Sequence, residues 1–93
     1  PKEVALLGNV PNPFNASTEI RFVLPQAGDV KVEVLDVSGK VVRTLFEGNM
    51  PAGTHSLIWD GTDAAGKEMP SGVYTCRVIA GDRVVTAKMS LVK

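Results

Sequence analysis

Few side chains in this sequence could do chemistry, and their spacing decides most of the cases. Asp60 and Asp63 stand on one segment, Asp60-Gly61-Thr62-Asp63, with Gly66 soon after. Two carboxylates on a loop suggest calcium, but calcium takes about six to eight oxygens, and an EF-hand loop closes on a Glu at its twelfth position. Counting twelve from Asp60 gives Ser71. Asx turns and left-handed glycines are the better expectation here, and no metal is expected. His55, Ser56 and Asp60 are the ingredients of a nucleophilic triad. Neighbours on a strand point to opposite faces, however, so His55 and Ser56 cannot share a hydrogen bond. There is no Gly-x-Ser-x-Gly elbow, and a carboxylate pair for glycoside hydrolysis would need a cleft that a small convex domain does not offer. The expectation is a protein with no catalytic residues, no cofactor and no enzymatic activity. Cys76 is the single cysteine, so no internal disulfide or thiolate cluster can form. With Tyr74 and Val78 on its face and no cation nearby, it reads as an inert core thiol. Asn15-Ala16-Ser17 spells an N-glycosylation acceptor and reads as a chance occurrence.

The elements that must position these residues are strands. Nine glycines and six prolines break the 93 residues at short intervals, leaving no helix-length stretch. Between the breaks lie runs rich in Val, Ile, Thr and Phe, which suit a pleated, half-buried surface. Strands are predicted at Val4–Leu7, Thr18–Leu24, Val30–Val37, Val41–Phe46, Thr54–Asp60, Val73–Ala80 and Arg83–Val92. A loop is predicted over Glu47–Gly53 and a longer one over Gly61–Ser71. In the fourth strand Val42 and Leu45 are both core candidates of opposite parity, which a bulge or an edge position would explain. About seven short, regularly spaced strands without helices predict an all-β, antiparallel sandwich, with a small closed barrel as the alternative. The predicted core is Ile20, Phe22, Leu24, Val32, Val34, Leu57, Trp59, Tyr74, Val78, Met89 and Leu91, while Val23, Leu35, Ile58, Val84 and Val92 take solvent parities. The Trp59 N–H and the Tyr74 hydroxyl need partners. Pro11-Asn12-Pro13-Phe14 reads as a rigid turn with Phe14 plugging one end of the core. A cis bond at Asn12-Pro13 is not expected on base rates.

Composition narrows the function classes. Ten basic residues balance ten acidic ones, which removes the electrostatic case for duplex nucleic acid. No apolar run approaches the roughly 18 residues needed to cross a bilayer as a helix. The chain starts at Pro1 with no signal-peptide pattern through Val10, so it is expected to be one domain, residues 1–93, cut from a longer protein. A monomer is expected.

Three motifs carry a family resemblance. The first is Asn9-Val10-Pro11-Asn12-Pro13-Phe14-Asn15 followed by Ser17-Thr18-Glu19-Ile20-Arg21-Phe22; the second is Ala52-Gly53-Thr54-His55 leading to Trp59-Asp60-Gly61, Asp63 and Gly66. The third is Ser71-Gly72-Val73-Tyr74 with Lys88-Met89-Ser90-Leu91-Val92-Lys93 at the end. With Leu35-Asp36-Val37-Ser38-Gly39 they span nearly the whole chain, which resembles the bacterial C-terminal sorting domain of type IX secretion; the same domain type resembles the Ig-like domain of the flagellar hook-capping protein. Ala16 stands where the family commonly has proline, and Cys76 where an aromatic is usual.

The resemblance implies a seven-stranded Ig-like fold and a task. The domain would be a non-catalytic sorting signal that directs a cargo protein N-terminal to it, via the periplasm, through the outer membrane to the bacterial surface or exterior. Its partners would be the cargo and the outer-membrane export machinery, which would recognise Lys88, Met89, Leu91 and Lys93 on the last strand, by strand addition if that edge is open. The second expectation is an Ig-like accessory module of a secreted enzyme, a spacer or a carbohydrate binder, the latter weakened by 5% aromatics. The third is a structural part assembled at a flagellar hook.

Overall fold

Thr18–Leu24 shows how this sequence makes a sheet. Thr18, Ile20, Phe22 and Leu24 alternate with Glu19, Arg21 and Val23, and the first set is buried to within 2% exposure. The same period of two recurs, with interruptions in β1, β3 and β4, along the strands of the computed structural model, which describes residues 3–93. The strands are β1 (Ala5–Val10), β2 (Thr18–Leu24), β3 (Gly28–Leu35), β4 (Val41–Met50), β5 (Gly53–Trp59), β6 (Gly72–Ala80) and β7 (Arg83–Leu91). They form two antiparallel sheets, β1-β2-β5 and β4-β3-β6-β7. Two separate sheets with four edge strands make an Ig-like sandwich and not a closed barrel.

The inner faces meet in one layer. Ile20, Phe22, Leu24 and Trp59 from the first sheet pack on Val32, Val34, Tyr74, Cys76, Val78, Met89 and Leu91 from the second. Each large aliphatic residue so buried contributes about 1.5–3 kcal/mol. Leu57 is half-buried and packs against this core from its margin. At one end three aromatic rings stack edge to face: Trp59 with Phe14 at 5.5 Å and with Tyr74 at 5.1 Å between centroids. Phe14 does plug the end of the core, at 2% exposure. The polar atoms of this cluster find partners in one loop, since Trp59 Nε1 donates to Thr62 O at 2.9 Å and the Tyr74 hydroxyl to Pro70 O at 2.6 Å.

Several sequence expectations are corrected. β3 stops at Leu35 because the Asp36 carboxylate draws the next residues into a turn, accepting from the Ser38 and Lys40 amides and from the Ser38 hydroxyl. Val37 is consequently 89% exposed. β4 runs on through Glu47–Met50, expected to be loop, because β3 pairs with it as far as Gly28↔Met50 and Met50 is buried. Its double parity has the predicted cause twice over: β4 is an edge strand, and the register slips at Leu45 and at Val42, letting both turn inward. Leu35, assigned to solvent, is buried on the outer face between its cross-strand partners Val41 and Thr75. β1 lies at Ala5–Val10 and not Val4–Leu7, with a bulge between Leu6 and Gly8. Asn12-Pro13 is cis after all, as is Val10-Pro11.

Candidate functional site

The loop from Asp60 to Glu68 gathers the residues first weighed as metal ligands. Asp60 Oδ1 accepts from the Thr62 amide at 3.2 Å and the Thr62 hydroxyl at 2.5 Å. Asp63 Oδ1 accepts from the Ala65 and Lys67 amides, both at 2.9 Å. These are Asx turns, so the carboxylates are engaged in holding the loop. Arg43 of β4 binds across to the same loop, donating to Thr62 Oγ1 at 2.5 Å and Asp63 O at 3.2 Å, with Asp60 Oδ1 at 3.6 Å. The Thr62 hydrogen bond holds the Asp60 carboxyl below its ordinary pKa against the opposing effect of burial, with help from the charge on Arg43. Among the described residues no three His, Cys, Asp or Glu side chains group as ligands.

His55 and Ser56 diverge as strand geometry requires. His55 Nε2 donates to Pro51 O at 2.7 Å and its ring lies 5.7 Å from that of Phe22, while Ser56 sits opposite Arg21 on the other face. Cys76 is buried, and burial pushes its thiol up to about 12. It cannot form a thiolate at neutral pH.

A charged cluster that sequence reasoning did not single out lies on the outer face of the four-stranded sheet. Glu33 of β3 has a side chain only 5% exposed. Its Oε1 accepts from Arg77 Nη2 at 2.7 Å and Nε at 3.1 Å, and Lys31 Nζ approaches Oε2 at 3.5 Å. Burial raises the carboxyl's pKa, but the hydrogen bonds and charge of Arg77, joined by Lys31, outweigh it and leave it below the ordinary value. The Lys-x-Glu alternation put Lys31 and Glu33 on one face; what brings Arg77 beside them is the β3–β6 register, which local sequence does not contain.

The terminal strand places the four recognition candidates in different settings. Lys88 is exposed on the outer face. Met89 and Leu91 are core residues at 1% and 2% exposure. Lys93 is held near the domain end, its amide donating to Ser71 Oγ at 2.9 Å and its Nζ lying 3.6 Å from Glu68. The β7 edge there is not open. Phe14 N donates to Ser90 O at 3.0 Å and Val92 N to Phe14 O at 2.8 Å, while Ser90 N donates to Asn12 Oδ1 at 3.0 Å. Strand addition at this end of β7 is therefore blocked by the chain's own Asn12–Phe14 segment. No helix among the described residues is long and apolar enough to cross a membrane.

The arrangement offers bonding that fixes loops and edges, and comparison with known proteins places the chain in a family. The family model described as the FlgD Ig-like domain matches residues 9–83. The chain is 36% identical over 76 residues to the basal-body rod modification protein FlgD of Escherichia coli, covering 81% of this chain and 33% of that protein. It thus spans about a third of the length of this curated relative. Among solved structures it is similar to FlgD of Xanthomonas campestris, described in connection with hook capping essential for flagellar assembly: TM-score 0.65, 28% identity, 95% of this chain and 64% of that one. It also overlays on latent PorU of Porphyromonas gingivalis with TM-score 0.71, covering 96% of this chain and 9% of that one; at 22% identity this shows the fold alone.

These findings correct the leading functional expectation. The relatives that share sequence are flagellar FlgD proteins, so the sorting-signal function is set aside, together with the outer-membrane export machinery and N-terminal cargo as partners and a surface or exterior destination by way of the periplasm. The recognition role expected of Lys88, Met89, Leu91 and Lys93 is a corollary of that function. The accessory-module alternative finds no support among the same relatives. On the match over residues 9–83, the chain belongs to the FlgD Ig-like domain family.

Proposed function

We propose that this domain is a non-catalytic structural module of a hook-capping type of protein, one Ig-like unit within a longer chain. The observation that carries the reading is the family match over residues 9–83, joined to 36% identity with the E. coli basal-body rod modification protein. The geometry supports it. The candidate catalytic and metal-binding groups are bonded into loops or buried: Asp60 and Asp63 in Asx turns, His55 on Pro51 O, Cys76 in the core. A module whose polar groups fix its own shape suits a scaffold, where rigid display of a surface is the task.

The test is replacement of the matched region of E. coli FlgD by this domain in cells lacking their own copy. Hooks on isolated basal bodies and swimming in soft agar are scored. Partial or full recovery is expected, and a Trp59→Ala version, with the core broken, should not recover. A chimera that is folded, present at normal levels and yet yields no hooks would overturn the proposal.

A further inference from the structure

The outer face of the β6–β7 hairpin carries groups that the domain's own bonding leaves over. Tyr74, Cys76 and Met89 of these strands face the core, so Val73, Arg77, Ile79, Val84, Thr86 and Lys88 face outward. Arg77 stands opposite Thr86, and Lys88 is its diagonal neighbour on β7, about 7–8 Å away by sheet geometry. The carboxylate beside Arg77 is already engaged: the Glu33 side chain is 5% exposed and takes both Arg77 bonds on one oxygen. A guanidinium has five N–H groups. Two of them bond Glu33, and the remaining three have no other side-chain partner among the described residues. Those two bonds also hold the fork in place, so little rotamer freedom is left to lose when a partner arrives. Lys88 is exposed, and its ammonium forms no ion pair among the described residues. Lys31 differs, lying 3.5 Å from Glu33 and opposite Glu47 of β4. Uncompensated positive charge on this face therefore centres on Arg77 and Lys88. Apolar side chains close it at both ends: Val73 is 45% exposed at one, and Val84, paired with Ile79, is 56% exposed at the other.

From this pattern we infer that the β6–β7 face is a docking surface for an extended acidic segment of a partner protein, one that reads apolar-x-acid-x-acid-x-apolar. Along the hairpin the outward groups come in the order Val73, Lys88, Arg77, then Ile79 with Val84, each one rung beyond the last. Alternate residues of an extended chain advance by about 6.5–7 Å on one side, which is the spacing of those rungs. Two carboxylates so spaced meet one cation each, the Lys88 ammonium and the free side of the Arg77 fork. The apolar residues beyond them fall on Val73 at one end and on Ile79 and Val84 at the other. A nucleic-acid strand matches the cations but not the apolar ends, so a protein segment is the occupant the face favours. The surface is a property of this domain alone and does not depend on the hook-capping reading.

The test is titration of the isotope-labelled domain, followed by amide chemical shifts at low salt, with the capped peptide Val-Thr-Glu-Thr-Glu-Thr-Val. Shifts should concentrate on β6 and β7 and saturate at peptide concentrations on the order of millimolar, as suits two exposed ion pairs and a small apolar contact. The same peptide with Gln for both Glu should bind about tenfold more weakly. Lys88→Glu turns one attraction into a repulsion and should weaken binding by about tenfold. Thr86→Glu sets a carboxylate opposite Arg77 and should fill the fork from within, with a loss of similar size, while leaving the Arg77–Glu33 pair in place. Both positions are exposed on the strand, and either variant decides the matter alone. A single-stranded thymidine oligonucleotide, titrated in parallel, should bind more weakly than the peptide. Absence of saturating shifts on β6 and β7, equal binding of the Gln peptide, unchanged affinity in a folded variant, or tighter binding of the oligonucleotide would overturn the inference.

Discussion

Replacing Arg77 by Met should leave Glu33 ionised, buried and short of its main partner. The Glu33 side chain is 5% exposed and receives both Arg77 bonds on one oxygen, so solvent can replace little of what is lost. Breaking a fully buried pair by removing one partner costs about 3–5 kcal/mol. Arg77 is itself one-third exposed and Lys31 remains 3.5 Å from Oε2, so about 2 kcal/mol is the reasoned figure here. For a domain this small that corresponds to a fall in Tm of roughly 8–16 °C. Glu33→Gln removes the charge and keeps an acceptor, and should cost about 1 kcal/mol at pH 7.

The pH dependence fixes the sign. A carboxyl whose folded pKa lies below its unfolded value, about 4.3, contributes stability that is complete above that value and lost as pH falls through the folded pKa. The gap between parent and Glu33→Gln should therefore be full at pH 7 and shrink as pH falls from about 4.3 through the folded pKa, below which both carry a neutral side chain. Urea unfolding followed by Trp59 fluorescence at several pH values gives both quantities. An Arg77→Met variant as stable as the parent, or a gap that stays constant down to pH 3, would refute the ion-pair reasoning.

Three further outcomes follow from the core and turns. Trp59→Ala, at a position with no exposed surface, should cost about 3–5 kcal/mol, read from urea unfolding by circular dichroism. Cys76 should not react with a thiol reagent at pH 8 in the native state and should react fully in denaturant, because the side chain is enclosed by the core and its burial pushes the thiol up to about 12. Gly81, at φ +62° in the β6–β7 turn with open space around its Cα, should lose about 1 kcal/mol on change to Ala, from backbone strain alone.

Strands were legible where alternation was clean. Thr18–Leu24 emerges with its observed bounds, and Trp59, Tyr74 and Met89 fall in the layer where period two places them. Alternation failed where the backbone departs from a regular ladder. The slips at Val42 and Leu45 were visible as a parity conflict, but the extension of β4 to Met50 was not, because its Gly48 and Asn49 read as turn residues. Leu35 has a solvent parity and is nonetheless covered, since parity assigns a face and not the neighbours that shield it. The pairs that fix the polar surface were invisible for a simpler reason: Arg77 is 44 residues from Glu33, and Ser90 is 78 from Asn12. Their meeting is a property of sheet order. The family motifs were legible as well, but they pointed first to a sorting signal, and likeness over the matched region corrected that to the FlgD Ig-like domain family.

The structural account turns on β7 being a member of the sandwich whose end is built into the core and bonded along its edge to the Asn12–Phe14 segment. Deleting Leu91–Lys93 and following thermal unfolding by circular dichroism tests this most directly. Loss of the buried Leu91 side chain alone should cost about 3 kcal/mol, and with the Val92–Phe14 bond gone the Tm should drop by at least about 12 °C, or the cooperative transition should vanish. A shortened domain that melts at the parent's temperature would contradict it, because the last residues would then be a dispensable tail.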